Sequence, residues 1–531
     1  MPARRRLLLW LLPLFTASLP LSSPAQGING SIQAQAQAAG PGIASWYAAR
    51  GNAPTWSGES LGSLARFVQE LDTHGLNPAL FGLAQWDAQW RNPSTDPATR
   101  AKVEVGTTQL ALFAIQSLAY GFVDPTTVHT KWDALKRTPT AFQFLDQALA
   151  QPPSELTRFL LNAVPPQDDR YRDMVKTLAR YRELDRLGGW KTLPATATPV
   201  GPGSRYDGLD LLRTRLQAEG DLPPGLSKFK GKELDQRTSD AIKSFQFRHG
   251  IEPDGYIGGD TLKEFNIPTS QRVKMLIINL DRLRWMPRAY EEAEHIEVNI
   301  AESALRLFNN QRQVTVMKVI VGVKGKHQTP IFHGNVQHLI FRPYWNIPMS
   351  IAKTELVPLA LQDPEGYMRQ HNYEIVTGYE NAPNDILPNT IENLNKCSTG
   401  ALLMRQRSGS DNSLGLVKFI FPNDNSVYLH DTPDHSLFER ANRDFSHGCV
   451  RVSRPDELAT LLLQRSGGPW DINNVRTAMN DVANPNRKEV FSKTLPVYLM
   501  YWTSTIMSDG RVRFDEDIYG HDVVMFQKFG L

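Results

Sequence analysis

The amino-acid sequence predicts a multi-domain α+β fold: a helical region, a small three-helix module, and a mostly β domain that contains an inserted lid or cap. Three observations lead to this prediction. The 531 residues are too many for a single hydrophobic core. Apolar residues recur with helical spacing up to about residue 190 and alternate as in strands from about residue 295. A Pro-, Gly- and Thr-rich stretch, residues 193–205, marks a domain boundary.

The N-terminal residues have the pattern of an export signal. A cluster of arginines precedes an apolar stretch, residues 7–21, and small residues precede a predicted cleavage site after Ala25. A membrane anchor is the alternative, but Pro13 and Pro20 interrupt a stretch that is shorter than the roughly 20 apolar residues needed to span a bilayer. We therefore expect residues 1–25 to be a signal peptide and the protein to be exported.

The charge balance argues against a nucleic-acid partner. The whole chain has 58 basic and 55 acidic residues, and the predicted signal peptide contains three of the arginines, so 55 of each sign remain. Binding to a phosphate backbone relies on a basic excess or a basic face. The balanced charge therefore predicts no nucleic-acid binding.

The first half of the chain is predicted to be structural. Residues 26–44 are rich in Gly, Ala and Gln without large apolar residues at regular spacing, which predicts a flexible leader. Helical patterns predict a helical scaffold domain over residues 45–192. No cluster of acidic residues, histidines or cysteines in this region suggests chemistry.

A compact three-helix module is predicted over residues 206–268. Its two helical stripes consist of Leu209, Leu212 and Leu216, and of Ala241, Ile242 and Phe245. Asp254 and Gly255 predict a tight turn between the second and third helices. About sixty residues are enough for such a small module.

The remaining residues, 269–531, predict the mostly β domain. The runs "LVKFIF" and "SVYLH" bracket "PNDN", and "PVYLMYWTS" and "RVRF" bracket Ser508-Asp509-Gly510, so two hairpins are expected. Residues 349–415 lack clear strand alternation and are too many for an ordinary connection. We interpret them as a lid or cap inserted into the β domain.

Cys449, in the run "RDFSHGCVRVSRPDE", is the candidate nucleophile. A thiol with an ordinary pKa near 8.5 is only a few per cent thiolate at neutral pH, so it needs a base. His447 has the same strand parity as Cys449, and His430 ends the strand "VYLH" at the predicted edge of the sheet. A disulfide to Cys397, the other cysteine of the chain, is the alternative for an exported protein.

Two neighbours of Cys449 fit a catalytic pocket. Gly448 suits a tight turn that aims its own amide and that of Cys449 at a developing oxyanion. Arg451 shares the parity of Cys449, and its guanidinium suits a carboxylate. Zinc is an alternative because histidine and cysteine are both zinc ligands. The chain lacks HExxH and CxxC motifs, however, and we expect no metal.

Taken together, these motifs resemble those of known proteins. "YLHDTP" followed by "SHGCVRV" is similar to the signature of the L,D-transpeptidases, as are "VGVKGKHQTP" and "RPYWNIP". "SFQFRHGIEPDGYIGGDTLKEFN" resembles the peptidoglycan-binding repeat found beside wall-modifying enzymes. The resemblance extends to "YAARGNAPTW" and "AYGFVDP" in the helical region, so it covers nearly the whole mature chain. It is typical of the large periplasmic members of that family.

The resemblance also implies roles for single residues. It implies Cys449 as nucleophile, His430 as general base, and the amides of Gly448 and Cys449 as the oxyanion hole. The remaining implied positions are His447 and Ser446 in the pocket wall, Arg451 against substrate, and Tyr344 and Trp345 along the groove.

The implied reaction is the formation of 3-3 cross-links between peptidoglycan tetrapeptide stems through a cysteine thioester, with release of D-alanine and without a cofactor. Carbapenems as covalent inhibitors and other cell-wall synthesis proteins are the further partners that it implies. Two alternatives remain open at this point: an exported carboxypeptidase that only trims stems, and a non-catalytic wall-anchoring protein.

Overall fold

The computed structural model describes residues 27–132, 139–223, 231–287, 293–310, 312–379 and 385–531. The signal peptide predicted for residues 1–25 lies outside these ranges. Within them, no helix combines the length and the apolar character that crossing a bilayer requires. The chain divides into two compact units, the first within residues 1–72, 77–116 and 139–164, and the second comprising the rest.

The first unit is helical. Its helices are α1 (Ile28–Ala39), α2 (Pro41–Ala48), α3 (Gly58–Glu70), α4 (Leu83–Arg91), the N-terminal part of α5 (Pro97–Tyr120), α6 (Ala141–Leu149) and α7 (Leu156–Ala163). Helix α3 begins with a capping box, in which Ser57 and Ser60 each accept a hydrogen bond from the other's backbone amide. Leu64 and Val68 of its apolar stripe are fully buried, as the helical spacing predicts.

The flexible leader predicted for residues 26–44 is wrong, because α1 and α2 occupy these residues. Alanine and glutamine have good helix propensity, and Gly40 with Pro41 ends one helix and begins the next. Ile32 and Ala36, four residues apart, are buried on one face of α1. The helix was not predicted because α1 buries only a narrow stripe, which requires few large apolar residues.

The second unit begins with the C-terminal part of α5. Five further helices precede the sheet: α8 (Asp169–Arg186), α9 (Leu209–Ala218), α10 (Gln236–Arg248), α11 (Gly259–Phe265) and α12 (Thr269–Arg284). Helix α8 packs on α12, and the Tyr171 hydroxyl accepts a hydrogen bond from Arg284 at 2.9 Å. The first unit therefore ends at residue 164, and the scaffold predicted to residue 192 does not coincide with one compact unit.

Helices α9, α10 and α11 form the three-helix module that the sequence predicts. Both predicted stripes are buried in one shared hydrophobic core. Phe245 of α10 stacks on Phe265 of α11 with ring centroids 3.7 Å apart, which joins the second helix to the third.

The large sheet of the mostly β domain has nine strands in the order β11-β3-β12-β10-β9-β4-β13-β1-β2. They are β1 (His295–Asn299), β2 (Ala304–Asn309), β3 (Arg312–Gly322), β4 (Phe332–Phe341), β9 (Val417–Ile420), β10 (Leu429–His430), β11 (Asp444–Ser446), β12 (Val450–Val452) and β13 (Arg487–Met500). Because β2 also pairs with β3, the strands from β3 to β2 close into a barrel-like ring. The core of this ring is formed by the alternate residues that each strand turns inward.

The remaining elements frame the ring. Helices α17 (Pro455–Arg465), α18 (Ile472–Asn480) and α19 (His521–Phe529) follow in the C-terminal part of the chain, with the hairpin of β14 (Ser504–Ile506) and β15 (Val512–Phe514). This hairpin and the β9–β10 hairpin confirm the two predicted from the turn residues. In the β9–β10 turn, the Asn423 side-chain amide donates hydrogen bonds to the carbonyls of Phe421 and Val427.

An inserted subdomain, here called the insert, occupies residues 345–406 between β4 and β9. It contains a second sheet of β5 (Trp345–Asn346), β6 (Tyr373–Val376), β7 (Ile386–Leu387) and β8 (Leu403–Gln406), with helices α13 (Met349–Ile351), α14 (Val357–Ala360), α15 (Pro364–Gln370) and α16 (Ile391–Thr399). A separate hydrophobic core holds it together. Its strands have two to four residues, too few to show the alternation sought in the sequence.

Candidate active site

Strands β10 and β12 are parallel neighbours and bring the predicted residues together. His430 lies opposite Arg451, and Leu429 lies opposite Val450. Leu429 and Val450 are fully buried. Because side chains alternate along a strand, His430 and Arg451 project from the opposite face. Cys449 directly precedes β12, and Lys418 and Arg451 lie near both Cys449 and His430.

The imidazole of His430 is fixed in one orientation. Its Nδ1–H donates to the backbone carbonyl of Asp431 at 2.5 Å, so Nε2 is left as the proton acceptor. Burial, together with the nearby charges of Arg451 and Lys418, lowers the pKa of His430 to about 3. His430 is therefore neutral at neutral pH and able to accept a proton.

The thiol of Cys449 is protonated at rest. Burial raises its pKa above the ordinary value, although hydrogen bonds from Tyr428 and the positive charges of Lys418 and Arg451 lower the pKa in part. Its Sγ lies 3.7 Å from the backbone carbonyl of Ser426. A protonated thiol beside a neutral imidazole requires a proton transfer before it can act as a nucleophile.

Ser446 shapes the loop that carries the thiol. Its hydroxyl donates to the carbonyl of Cys449 at 2.5 Å and accepts a hydrogen bond from the Gly448 amide at 3.1 Å. Gly448 has a φ of 110°, which only glycine adopts without strain. The Gly448 amide thus already has a partner, and this arrangement does not favour the role in an oxyanion hole that the sequence predicts for it.

Thr329 ties the same loop to strand β3. Its hydroxyl donates to the carbonyl of Gly448 and accepts from the amide of Gly322, both at 2.9 Å. Tyr519 donates to the Gly322 carbonyl at 2.5 Å and accepts from the Thr329 amide at 3.2 Å. A Cβ on Gly322 would lie 1.8 Å from the His327 carbonyl, so a larger residue does not fit there.

The strand parity expected for His447 and Cys449 does not apply, because neither residue lies within a strand. Strand β11 ends at Ser446, and the positive φ of Gly448 turns the chain before β12 begins. Parity holds only along continuous extended backbone. His447 instead lies exposed beside the insert, where its Nε2 is 3.0 Å from Oε1 of Glu355.

Arg451 has the character expected of a substrate contact. Its Nε is buried without a hydrogen-bond partner among the described residues. Burial lowers its pKa, and the carboxylate of Asp434 opposes that shift. A half-buried guanidinium with an open donor suits an incoming anion.

Tyr344 directly precedes the insert, and Trp345 is its first residue. The guanidinium of Arg405 lies 4.4 Å from the centre of the Tyr344 ring. Trp345 pairs with Gln406 across the small sheet and packs against the core of the insert. Their predicted role along a substrate groove stays a prediction.

Lys418 and Tyr428 are two further residues of the site, which the sequence motifs did not indicate. Lys418 lies directly opposite His430 in the β9–β10 hairpin, and its Nζ is 4.7 Å from the centre of the Tyr428 ring. Burial lowers the pKa of Lys418, whereas Cys449 raises it. The position of Lys418 could have been inferred from the predicted hairpin, because pairing "LVKF" with "YLH" places this lysine beside the histidine.

The disulfide alternative is contradicted, since both cysteines are free. Cys397 lies in α16 within the core of the insert.

Comparison with known protein families supports the resemblance seen in the motifs. Residues 293–475 match the L,D-transpeptidase catalytic domain, residues 41–178 match a scaffold domain, and residues 205–264 match a peptidoglycan-binding domain family. The predicted similarity to L,D-transpeptidases that carry a peptidoglycan-binding module is confirmed.

Two individual proteins are also similar. A Haemophilus influenzae protein named as an L,D-transpeptidase is 33% identical over 262 residues, which cover 48% of this chain and 50% of the relative. The match thus spans about half the length of that relative. The crystal structure of an L,D-transpeptidase from Stackebrandtia nassauensis aligns with 58% of this chain and 96% of its own, at 13% identity and a TM-score of 0.20, which is too low to support an argument.

Proposed function

We propose that the chain is a peptidoglycan L,D-transpeptidase that joins two tetrapeptide stems through a thioester on Cys449. The observation that carries the proposal is the position of His430 on β10 and of Cys449 directly before the neighbouring β12, with Lys418 and Arg451 near both, within residues 293–475 that match an L,D-transpeptidase catalytic domain. A thiol, an oriented neutral imidazole and a half-buried guanidinium together fit cysteine-dependent acyl transfer.

The first step would form the acyl-enzyme. His430 Nε2 accepts the thiol proton of Cys449, and the sulfur attacks the carbonyl carbon of the bond that precedes the terminal D-alanine. The protonated His430 then returns the proton to the departing amine. The carbon–nitrogen bond breaks, a thioester forms, and free D-alanine leaves.

The second step would transfer the acyl group. The side-chain amine of a diaminopimelate residue on another stem attacks the thioester and gives a proton to His430. The carbon–sulfur bond breaks, and the Cys449 thiolate regains the proton. The product is a 3-3 cross-link between the two stems. Water in place of the amine would release a tripeptide, so exclusion of water decides between transpeptidase and carboxypeptidase activity.

Substrate binding involves the other predicted positions. Arg451 would bind a carboxylate of the stem with its open buried Nε. Tyr344 and Trp345 would line the groove where the insert meets the sheet, and Ser446 holds the loop of Cys449 in place. The module of residues 206–268 would bind peptidoglycan, in agreement with its family match. These ligands imply a periplasmic location after removal of residues 1–25.

The same chemistry predicts covalent inhibition by carbapenems. The thiolate of Cys449 would open the β-lactam ring and remain acylated. Intact-mass analysis after incubation with a carbapenem should show one adduct per chain, and the Cys449→Ala variant should show none.

Product analysis tests the proposal. The purified chain and its Cys449→Ala variant are incubated with a disaccharide-tetrapeptide, and the products are weighed by mass spectrometry. A cross-linked dimer formed with loss of one alanine supports the transpeptidase. Tripeptide monomer alone identifies a carboxypeptidase. Unchanged substrate together with binding to intact peptidoglycan favours the wall-anchoring alternative.

A further inference from the structure

Three side chains from distant parts of the sequence meet next to the loop of Cys449. They are His327 in the connection after β3, Glu355 in the π-helical turn Ala352–Leu356 of the insert, and His447. One potential ligand atom of each lies within 4.8 Å of the other two. The rings of His327 and His447 have their centroids 4.5 Å apart.

Two imidazoles and a carboxylate are a typical ligand set for Zn²⁺, which takes a fourth ligand from solvent or substrate. Zinc ligands at about 2.0–2.1 Å in tetrahedral arrangement lie about 3.4 Å from one another. His447 Nε2 and Glu355 Oε1 are 3.0 Å apart, and all three candidate ligand atoms lie within 4.8 Å of one another. The ligand separation of a tetrahedral zinc site falls between these two distances. His327 and Glu355 are half-buried and His447 is exposed, so an ion can enter from solvent.

The backbone holds the two histidines in position before any ion binds. Thr329 bonds to Gly322 at one end of the segment that carries His327, and to Gly448 next to His447. The close approach of the His327 carbonyl to Gly322 fixes that segment further. Preorganised ligands of this kind reduce the cost of assembling a metal site.

A simple hydrogen bond between His447 and Glu355 would explain why these two of the three side chains lie close together. It gives no reason for His327 to bring a second ring nitrogen to the same point from another segment. We propose that His327, Glu355 and His447 bind one Zn²⁺ ion, which links the insert to the loop of the nucleophile. The site is independent of the proposed transpeptidase activity, and it replaces the sequence-based expectation of no metal.

Calorimetric titration with Zn²⁺ tests the proposal. The Cys449→Ala chain serves as the parent, because it removes the nearby thiol as a competing ligand. We expect one Zn²⁺ per chain, and an affinity at least tenfold lower when Glu355→Gln or His327→Gln is added. Glutamine retains the size and a hydrogen bond to His447 at position 355 but lacks the carboxylate charge. The matched controls His435→Gln and Glu365→Gln should bind Zn²⁺ as the parent does.

Thermal unfolding separates loss of the site from loss of the fold. Without metal, the parent and the two ligand variants should unfold at similar temperatures, since these side chains are at least partly exposed. Added Zn²⁺ should raise the unfolding temperature of the parent and of both controls. It should raise the unfolding temperature of the two ligand variants much less. Absence of Zn²⁺ binding by the parent, or equal affinity in the Glu355→Gln variant, would overturn the proposal.

Discussion

The two cysteines of this chain differ in the groups that surround them. Cys397 lies in the apolar core of the insert, and burial alone raises its pKa to about 11. Burial also raises the pKa of Cys449, but Tyr428, Lys418 and Arg451 act against it. The thiolate of Cys397 thus lacks the stabilising neighbours that the thiolate of Cys449 has. The difference lies in polar neighbours that stabilise the thiolate, since desolvation affects both thiols in the same direction.

Exchange of each thiol gives the largest expected contrast. Cys449→Ala should lower transpeptidation by at least about 10³-fold, because no other group can form the thioester. Cys397→Ala should leave the activity within about twofold and cost only stability through a small cavity in the core of the insert. Cross-linked dimer is measured by mass spectrometry for both variants. Equal losses in the two variants would remove the distinction between the two sites.

Loss of the base should have the next largest effect. His430→Gln should lower the rate by about 10²- to 10⁴-fold, because glutamine cannot take the thiol proton. The pKa of His430 is lowered to about 3, so its imidazole stays neutral above that value and should add no acid limb between about pH 5 and pH 7. The rate is measured against pH, with His435→Gln as the control. Near wild-type turnover in the His430→Gln variant would refute the assignment.

Removal of one positive charge should make the thiol pKa of Cys449 more like that of Cys397. Lys418 lowers the thiol pKa, so Lys418→Met should raise it and reduce the thiolate fraction at neutral pH. The rate of alkylation by iodoacetamide rises with pH as thiolate forms, and the variant should need a higher pH for the same rate. We expect a several-fold lower rate near pH 7. Lys418→Arg and Lys493→Met should behave like the unmodified chain, and an unchanged profile in Lys418→Met would contradict this role.

The smallest effect concerns the bonds that position the loop of Cys449. Thr329→Val removes two buried hydrogen bonds, to Gly322 and Gly448, and should lower the free energy of unfolding by about 1–3 kcal/mol. Activity should fall several-fold as the loop gains freedom. Thr477→Val, which removes a bond within a surface helix, is the control. Denaturant unfolding and turnover are compared, and an effect no larger than the control would mean that Thr329 does not position the loop.

Much of the fold follows from local patterns. The alternation in "VYLH" and "VRV", the turn residues of both hairpins and the leucine stripe of the module each reflect the period of one element, and the structure agrees with them. The helix over residues 28–39 and the short strands of the insert were missed, because their apolar signal is weak or brief.

The candidate site was predictable only where it depends on one stretch of chain. His430 and Arg451 lie opposite each other on paired strands, and Cys449 directly precedes the strand of Arg451. The orientation of His447 was not predictable, since it depends on a positive φ at Gly448. Its contact with Glu355 joins residues 92 positions apart, which no local spacing encodes.

The most direct test of the account is to locate the acyl group on the chain. A disaccharide-tetrapeptide is incubated with the chain without an acceptor amine, the reaction is quenched with acid, and the peptides are mapped by mass spectrometry. The account predicts a tripeptide-stem thioester on the peptide that contains Cys449 and none on the peptide that contains Cys397. An adduct on another residue, or cross-linking by the Cys449→Ala variant, would contradict it.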